Sequence, residues 1–178
     1  MHSTVILDGK KMQQRMFAYS SIERALAEVL SIEPKERKSF KAKIRHLRDI
    51  NVPRNLPRPG SGKDAECTFT QVLEVAFALA LEKRGFTPRL AASWGPRIAD
   101  DLRRHIAPDD IYCVFSTSIQ PLLRYLGLEP GEGFALVPGF ETLAHVLKDQ
   151  LVDRETDSVL VINATRLARK VEQALTGG

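Results

Sequence analysis

The sequence predicts a mixed α/β fold, a mostly helical first part over residues 1–105 followed by a small α/β domain over residues 106–178. Three observations lead there. The chain has 178 residues, room for one ordinary domain or two small ones. Apolar residues recur at helical intervals up to about residue 105, then give way to short apolar strand-like runs alternating with helical ones. The charge divides at the same place: residues 1–105 carry 20 Lys+Arg against 12 Asp+Glu, and residues 106–178 carry 6 against 10.

Composition narrows the class. With 43% hydrophobic and 27% charged residues and a mean hydropathy of −0.18, the chain can build a packed core and is not disordered throughout. The longest apolar run, residues 75–81, falls far short of the ~20 residues that span a bilayer. Residues 1–9 lack the basic start and apolar middle of a signal peptide. A cytoplasmic location away from membranes is expected. Cys67 and Cys113 are too few for a disulfide framework and sit in apolar strand-like contexts, where a buried thiol is expected.

Residues 3–7 form a first strand candidate, and 10–19 are polar with little pattern. Ser20-Ser21-Ile22-Glu23 has capping-box spacing, and Ile22, Leu26, Val29 and Leu30 recur at helical intervals, which predicts a helix to about residue 30. A second helix opens at Pro34, where a missing N–H costs nothing, and runs to Ile50. At ~100° per residue its Phe40, Ile44 and Leu47 share one stripe, while Arg37, Lys38, Lys41, Arg45 and Arg48 gather a quarter to a half turn away. Residues 35–63 hold 10 basic and 2 acidic side chains. A solvated helix interleaves acids with its bases; here Glu36 and Asp49 stand only at the helix ends.

Asn51-Val52-Pro53 stops this helix, residues 54–64 have turn chemistry, and 65–69 return as a short strand. A helix, an extended leg, a Gly-rich basic turn and a second leg is the pattern of a winged helix. Thr70 is placed to cap a third helix over 71–84, apolar nearly all round and hence central to the core. Gly85 supplies a left-handed end, and Thr87-Pro88 opens a fourth helix that Trp94-Gly95-Pro96 is expected to interrupt before it resumes to His105. After a boundary at 107–110, strands are expected over 111–115, 135–137 and 159–162, and helices over 119–126, 140–151 and 164–175.

The run from Phe40 to Leu90 resembles the DNA-binding part of the MerR-like winged helix-turn-helix regulators. The features that carry the resemblance are the helix Phe40 to Leu47, the turn Pro57 to Lys63, the pair Phe69-Thr70 and the turn Gly85-Phe86-Thr87, in that order. They correspond to the family's recognition helix, its wing, the aromatic-Thr opening of the next helix and the Gly-Phe-Ser/Thr turn beyond it. The chain departs from the family at Tyr19-Ser20-Ser21-Ile22, where an aromatic-Thr-Ile opening is usual, and at Ser31-Ile32-Glu33, a turn without glycine. It also lacks a cysteine cluster and a long C-terminal heptad helix, so the resemblance implies no metal or drug sensing.

The resemblance implies a sequence-specific transcriptional regulator that binds double-stranded DNA as a homodimer on a palindromic site. A repressor is expected, since no polymerase-contact surface is recognisable. The candidate DNA-binding residues are Lys38, Ser39, Lys41, Arg45, Arg48, Arg54, Arg58 and Lys63. Arg45 and Arg48 suit bidentate contact with guanine, Lys38, Ser39 and Lys41 bases or phosphates, and Arg54, Arg58 and Lys63, on the wing, phosphates or the minor groove. The acidic part is expected to supply dimer contacts or to receive a small-molecule or protein effector. The alternative is an interaction adaptor or ligand-sensing module whose winged helix binds protein.

Other motifs weaken on inspection. Gly60-Ser61-Gly62-Lys63 lacks the first glycine, the magnesium-binding hydroxyl and the preceding strand of a phosphate loop, and Gly131-Glu132-Gly133-Phe134 lacks a third glycine. His2, His46, His105 and His145 are scattered without ligand spacing. Ser116-Thr117-Ser118 suits a helix cap better than a nucleophile. No enzymatic activity, cofactor or metal is expected.

Overall fold

A computed structural model describes residues 15–56, 65–104, 110–116, 135–148 and 159–177. The fold is mixed α/β, with two small sheets among the described residues. Two compact units emerge: the first draws on Met1–Arg103 and Ala168–Gly178, the second on Arg104–Leu167. The charge pattern had given all of 106–178 to one part; by compactness the last helix begins in the second unit and finishes in the first.

In the first unit, β1 (Met16–Ala18) pairs antiparallel with β2 (Glu66–Thr68), Phe17 facing Cys67. Each strand runs without a loop into a helix, β1 into α1 (Tyr19–Val29) and β2 into α3 (Phe69–Glu82). This moves both expected caps. Ser20 does not cap α1: the N-cap is Ala18, with no side-chain bond, and the Tyr19 N–H donates instead to the Ala65 carbonyl at 3.1 Å. Thr68, not Thr70, caps α3, accepting from the Gln71 N–H while the Gln71 side chain accepts from the Thr68 N–H, a reciprocal capping box.

Between these helices a single 3-10 turn at Pro34–Glu36 leads into α2 (Arg37–Asp49). Pro34 therefore opens a tighter turn first, held by Glu33 and Glu36 bonding each other's backbone. α1, α2 and α3 all end alike. Ser31, Asn51 and Gly85 take positive φ of 52°, 67° and 93°, and the next N–H reaches back to Ala27, Leu47 and Leu81 respectively, closing the orphan carbonyls. Ser31 thus does the work of the glycine missing from the first turn. The Val52–Pro53 peptide is cis.

α3 is the hub. Every residue from Val72 to Leu81 is buried, and Phe77, Ile22, Leu26, Ile44, Leu47, Leu81 and Ile98 are among the largest fully enclosed side chains. α4 (Pro88–Arg104) runs unbroken through Pro96, correcting the expected interruption at Trp94-Gly95-Pro96. Gly95 is buried against α3, so close that a Cβ there would lie 2.7 Å from the Glu74 carbonyl oxygen and 2.8 Å from the Ala78 nitrogen. Pro96 loses one helical hydrogen bond, and burial beside that contact holds the helix together across it. Trp94 meets the edge of Phe86 at 5.3 Å between centroids.

In the second unit, β3 (Ile111–Ser116) is the central strand, with β4 (Ala135–Pro138) and β5 (Val159–Asn163) on either side, both antiparallel to it. Ile111, Cys113, Val114 and Phe115 are buried, the continuous apolar run of a strand covered on both faces. α5 (Phe140–Lys148) follows β4, burying Leu143 and Val146. β5 leads directly into α6 (Ala164–Thr176), where Asn163 Oδ1 accepts from the Arg166 N–H at 2.7 Å and its Nδ2 donates to Asp110 at 3.0 Å. The strand at 3–7, the turn at 57–64 and the helix at 119–126 fall outside the described residues, as do the glycines at 131 and 133.

Candidate nucleic-acid interface

α2 has the two faces its sequence predicts. Phe40, Ile44 and Leu47 are 4%, 1% and 0% exposed, fixing the helix against the core along one stripe. Burying three such side chains contributes roughly 1.5–3 kcal/mol each, so its outward residues are presented from a rigid mount. Lys38, Ser39, Lys41 and Arg45 are exposed, and Arg48 is half-buried.

The cations are not equivalent. Lys38 and Arg45 form no ion pair with any described residue. Lys41 pairs with Glu23 of α1 at 2.8 Å, a surface contact in which neither side chain is buried. Arg48 lies over the Tyr19 ring, 5.6 Å from its centroid, which orients the guanidinium along the α1–α2 junction. Tyr19 is further held by its hydroxyl donating to the Ile44 carbonyl at 3.4 Å. Burial pushes the Tyr19 hydroxyl pKa up to about 12, Arg48 pulling partly against it, so Tyr19 is a neutral ring at any physiological pH. Ser39 donates its hydroxyl to the Glu36 carbonyl at 2.8 Å, closing the first turn of α2.

Arg54 stands elsewhere. Sequence placed it on the wing beside Arg58 and Lys63, which lie outside the described residues; the structure turns it inward onto α3 and α4. Its backbone N–H donates to Glu74 Oε2 at 2.7 Å, and its Nη2 reaches Glu74 Oε1 at 3.3 Å, the Pro96 carbonyl at 3.2 Å and Asp100 Oδ2 at 2.6 Å. The Gln71 amide donates to the Arg54 carbonyl at 3.0 Å. The bond it donates to Asp100, with Glu74 beside it, raises the already high guanidinium pKa. Burial raises the Glu74 carboxyl, and Arg54 draws it back down. This clasp ties the segment leaving α2 to the α3–α4 pair. Sequence reasoning did not single out Glu74 or Asp100; a lone Glu within the apolar run of α3 was the available signal, since an acid there needs a buried partner.

No protein-family model matches the chain, and no curated protein matches it.

Proposed function

We propose that the chain is a sequence-specific double-stranded-DNA-binding regulator with a MerR-like winged helix-turn-helix, acting as a repressor and bound as a homodimer to a palindromic site. The observation that carries this reading is α2: an apolar stripe locked into the core by Phe40, Ile44 and Leu47, and beside it Lys38, Lys41, Arg45 and Arg48. Such a helix suits a groove lined with phosphates, because each cation that neutralises a phosphate releases a condensed counterion. Arg45 is free to reach base edges, and Arg48, steadied by Tyr19, has the fixed fork that bidentate guanine contact needs. Arg58 and Lys63, in the segment this reading takes as the wing, add to the cationic charge of α2. Arg54 is left out of the interface, its guanidinium being taken up by Glu74 and Asp100.

The test is duplex binding by fluorescence anisotropy, on a site selected from a random pool, across a salt series. With about four phosphates neutralised by each protomer, and so about eight by the dimer, log affinity falls with log salt at a slope near −7. Arg45→Ala with Arg48→Ala weakens binding at least tenfold and flattens that slope. Unchanged binding by the double variant at physiological salt removes α2 from the interface, and no measurable duplex affinity in the wild type favours a protein-binding winged helix.

A further inference from the structure

An open sheet has two edges, and each presents a row of backbone N–H and C=O groups to which another strand can bond. The second unit treats its two edges differently. β4 is guarded, because it ends at Pro138, which is exposed and has no N–H to offer. β5 is not. Its five residues, Val159-Leu160-Val161-Ile162-Asn163, include no charge, proline or glycine, and they pair with β3 in an unbroken register. On the side away from β3, no described residue gives β5 a backbone hydrogen bond. Val159, Leu160 and Val161 are only half-buried.

Charge selects the strand that fits there. An uncharged apolar edge is complemented by another uncharged apolar strand, and a second copy of β5 is one. The flanks select its direction. Asp157 stands two residues before Val159, and Arg166 three residues after Asn163; Arg166 is exposed and forms no ion pair with any described residue. A parallel copy would set acid beside acid and base beside base. An antiparallel copy sets Asp157 of one chain toward Arg166 of the other, at both ends of the pair.

We propose that β5 pairs antiparallel with the β5 of a second copy of this chain, about a twofold axis at Val161. Val161 then faces Val161, Leu160 faces Ile162 and Val159 faces Asn163, so the apolar residues meet one another across the axis. The two three-stranded sheets become one. Both outer edges of the joined sheet are β4, so Pro138 blunts further growth and the assembly closes as a dimer. This names the contact of the homodimer proposed above and rests on that reading for its use at a palindromic site, but the association itself is measured without DNA.

The full chain is followed by sedimentation velocity from about 1 to about 200 µM. It is expected to reach twice the 19.9 kDa of one chain with a Kd of about 10 µM, as suits a small contact. Val161→Lys and Val161→Asp, with their folds checked by circular dichroism, each set like charges opposite one another at the axis and weaken association about tenfold or more. Mixed in equal amounts they pair Lys with Asp and recover it. A chain that stays monomeric at about 200 µM, an assembly larger than a dimer, a dimer that both variants leave intact, or a mixture no better than its parts overturns the proposal. If either variant does not fold, the wild type decides: deuterium exchange at the amides of Val159–Asn163 slows as concentration rises through Kd, and exchange that ignores concentration overturns the contact. A dimer of this kind that binds no duplex supports the contact and removes the DNA-binding reading. Duplex binding by a chain that stays monomeric overturns the contact and keeps that reading.

Discussion

Arg45 and Arg54 are nine residues apart in the same basic stretch and look alike in sequence, yet they belong to different kinds of region. Arg45 stands exposed on α2 without an acidic partner among the described residues. Arg54 is held by a buried glutamate and an aspartate from two other helices. A count of charges treats them as equal contributors to a cationic surface. Their neighbours decide otherwise: acids brought in from α3 and α4 pair with one cation, while the other forms no ion pair with any described residue. The useful quantity for an electrostatic surface is the charge that remains after internal pairing.

The sharpest way to break this contrast is to attack the ground under the clasp. Gly95→Ala places a methyl against the backbone of α3, where neither the Glu74 carbonyl nor the Ala78 nitrogen can swing aside; urea unfolding is expected to show a loss of about 3 kcal/mol. Arg54→Met leaves Glu74 buried without its cation. Removing one partner of a buried pair costs ~3–5 kcal/mol, and because the Arg54 side chain is 40% exposed, solvent screening reduces the expected loss to about 2 kcal/mol. The matched change Arg45→Met is expected to stay within about 0.5 kcal/mol of wild type. A large stability loss in Arg45→Met, or none in Arg54→Met, would erase the distinction between the two sites.

The pH dependence of Arg54→Met sharpens it further. Burial raises the Glu74 pKa in the fold, so the folded chain binds more protons than the unfolded one between the unfolded value, near 4.3, and the raised one. The stability from this group is therefore complete below the unfolded value and lost as pH rises through the folded one. Without Arg54 the shift grows, and the deficit of Arg54→Met relative to wild type is expected to be smaller at pH 4.5 than at pH 7.5. A deficit that widens on acidification would mean that Glu74 is stabilised in its charged form. A small effect is also expected of Lys41→Ala, which breaks an exposed pair with Glu23 worth under about 1 kcal/mol; in duplex binding by a homodimer, which loses one contact per protomer, it should lower the salt slope by about two units.

Much of the architecture was legible in the sequence because it depends on local pattern. The spacing of Phe40, Ile44 and Leu47 names the buried stripe of α2, the unbroken apolar run of α3 marks the hub, and the strands at 111, 135 and 159 announce themselves by composition. The misplacements share one cause, contacts from afar. Ser20 has the spacing of a cap, but the helix starts earlier and Ala65, just before β2, supplies the partner for the Tyr19 N–H. Pro96 looked like a break because nothing local shows that Gly95 seats α4 on α3. Arg54 looked like a wing residue because Glu74 and Asp100 lie 20 and 46 positions away. Helix periods are written locally, whereas the fate of a single charge or cap is settled by residues that only the folded chain brings near.

The short ribbon of β1 and β2 has a bearing on how this protein came to be assembled. α1 begins where β1 ends and α3 begins where β2 ends, so residues 19–65 leave and rejoin the rest of the chain at two points facing one another across an antiparallel pair, only ~5 Å apart. With its ends adjoining, the segment can change its outward residues without moving the strands it joins, while Ile22, Leu26, Ile44 and Leu47 stay to fill the core around α3. The helix carrying the cationic face lies wholly inside it. Evolution, or an engineer, can therefore rewrite the charge of this surface while α3, the hub on which the first unit is built, stays as it is.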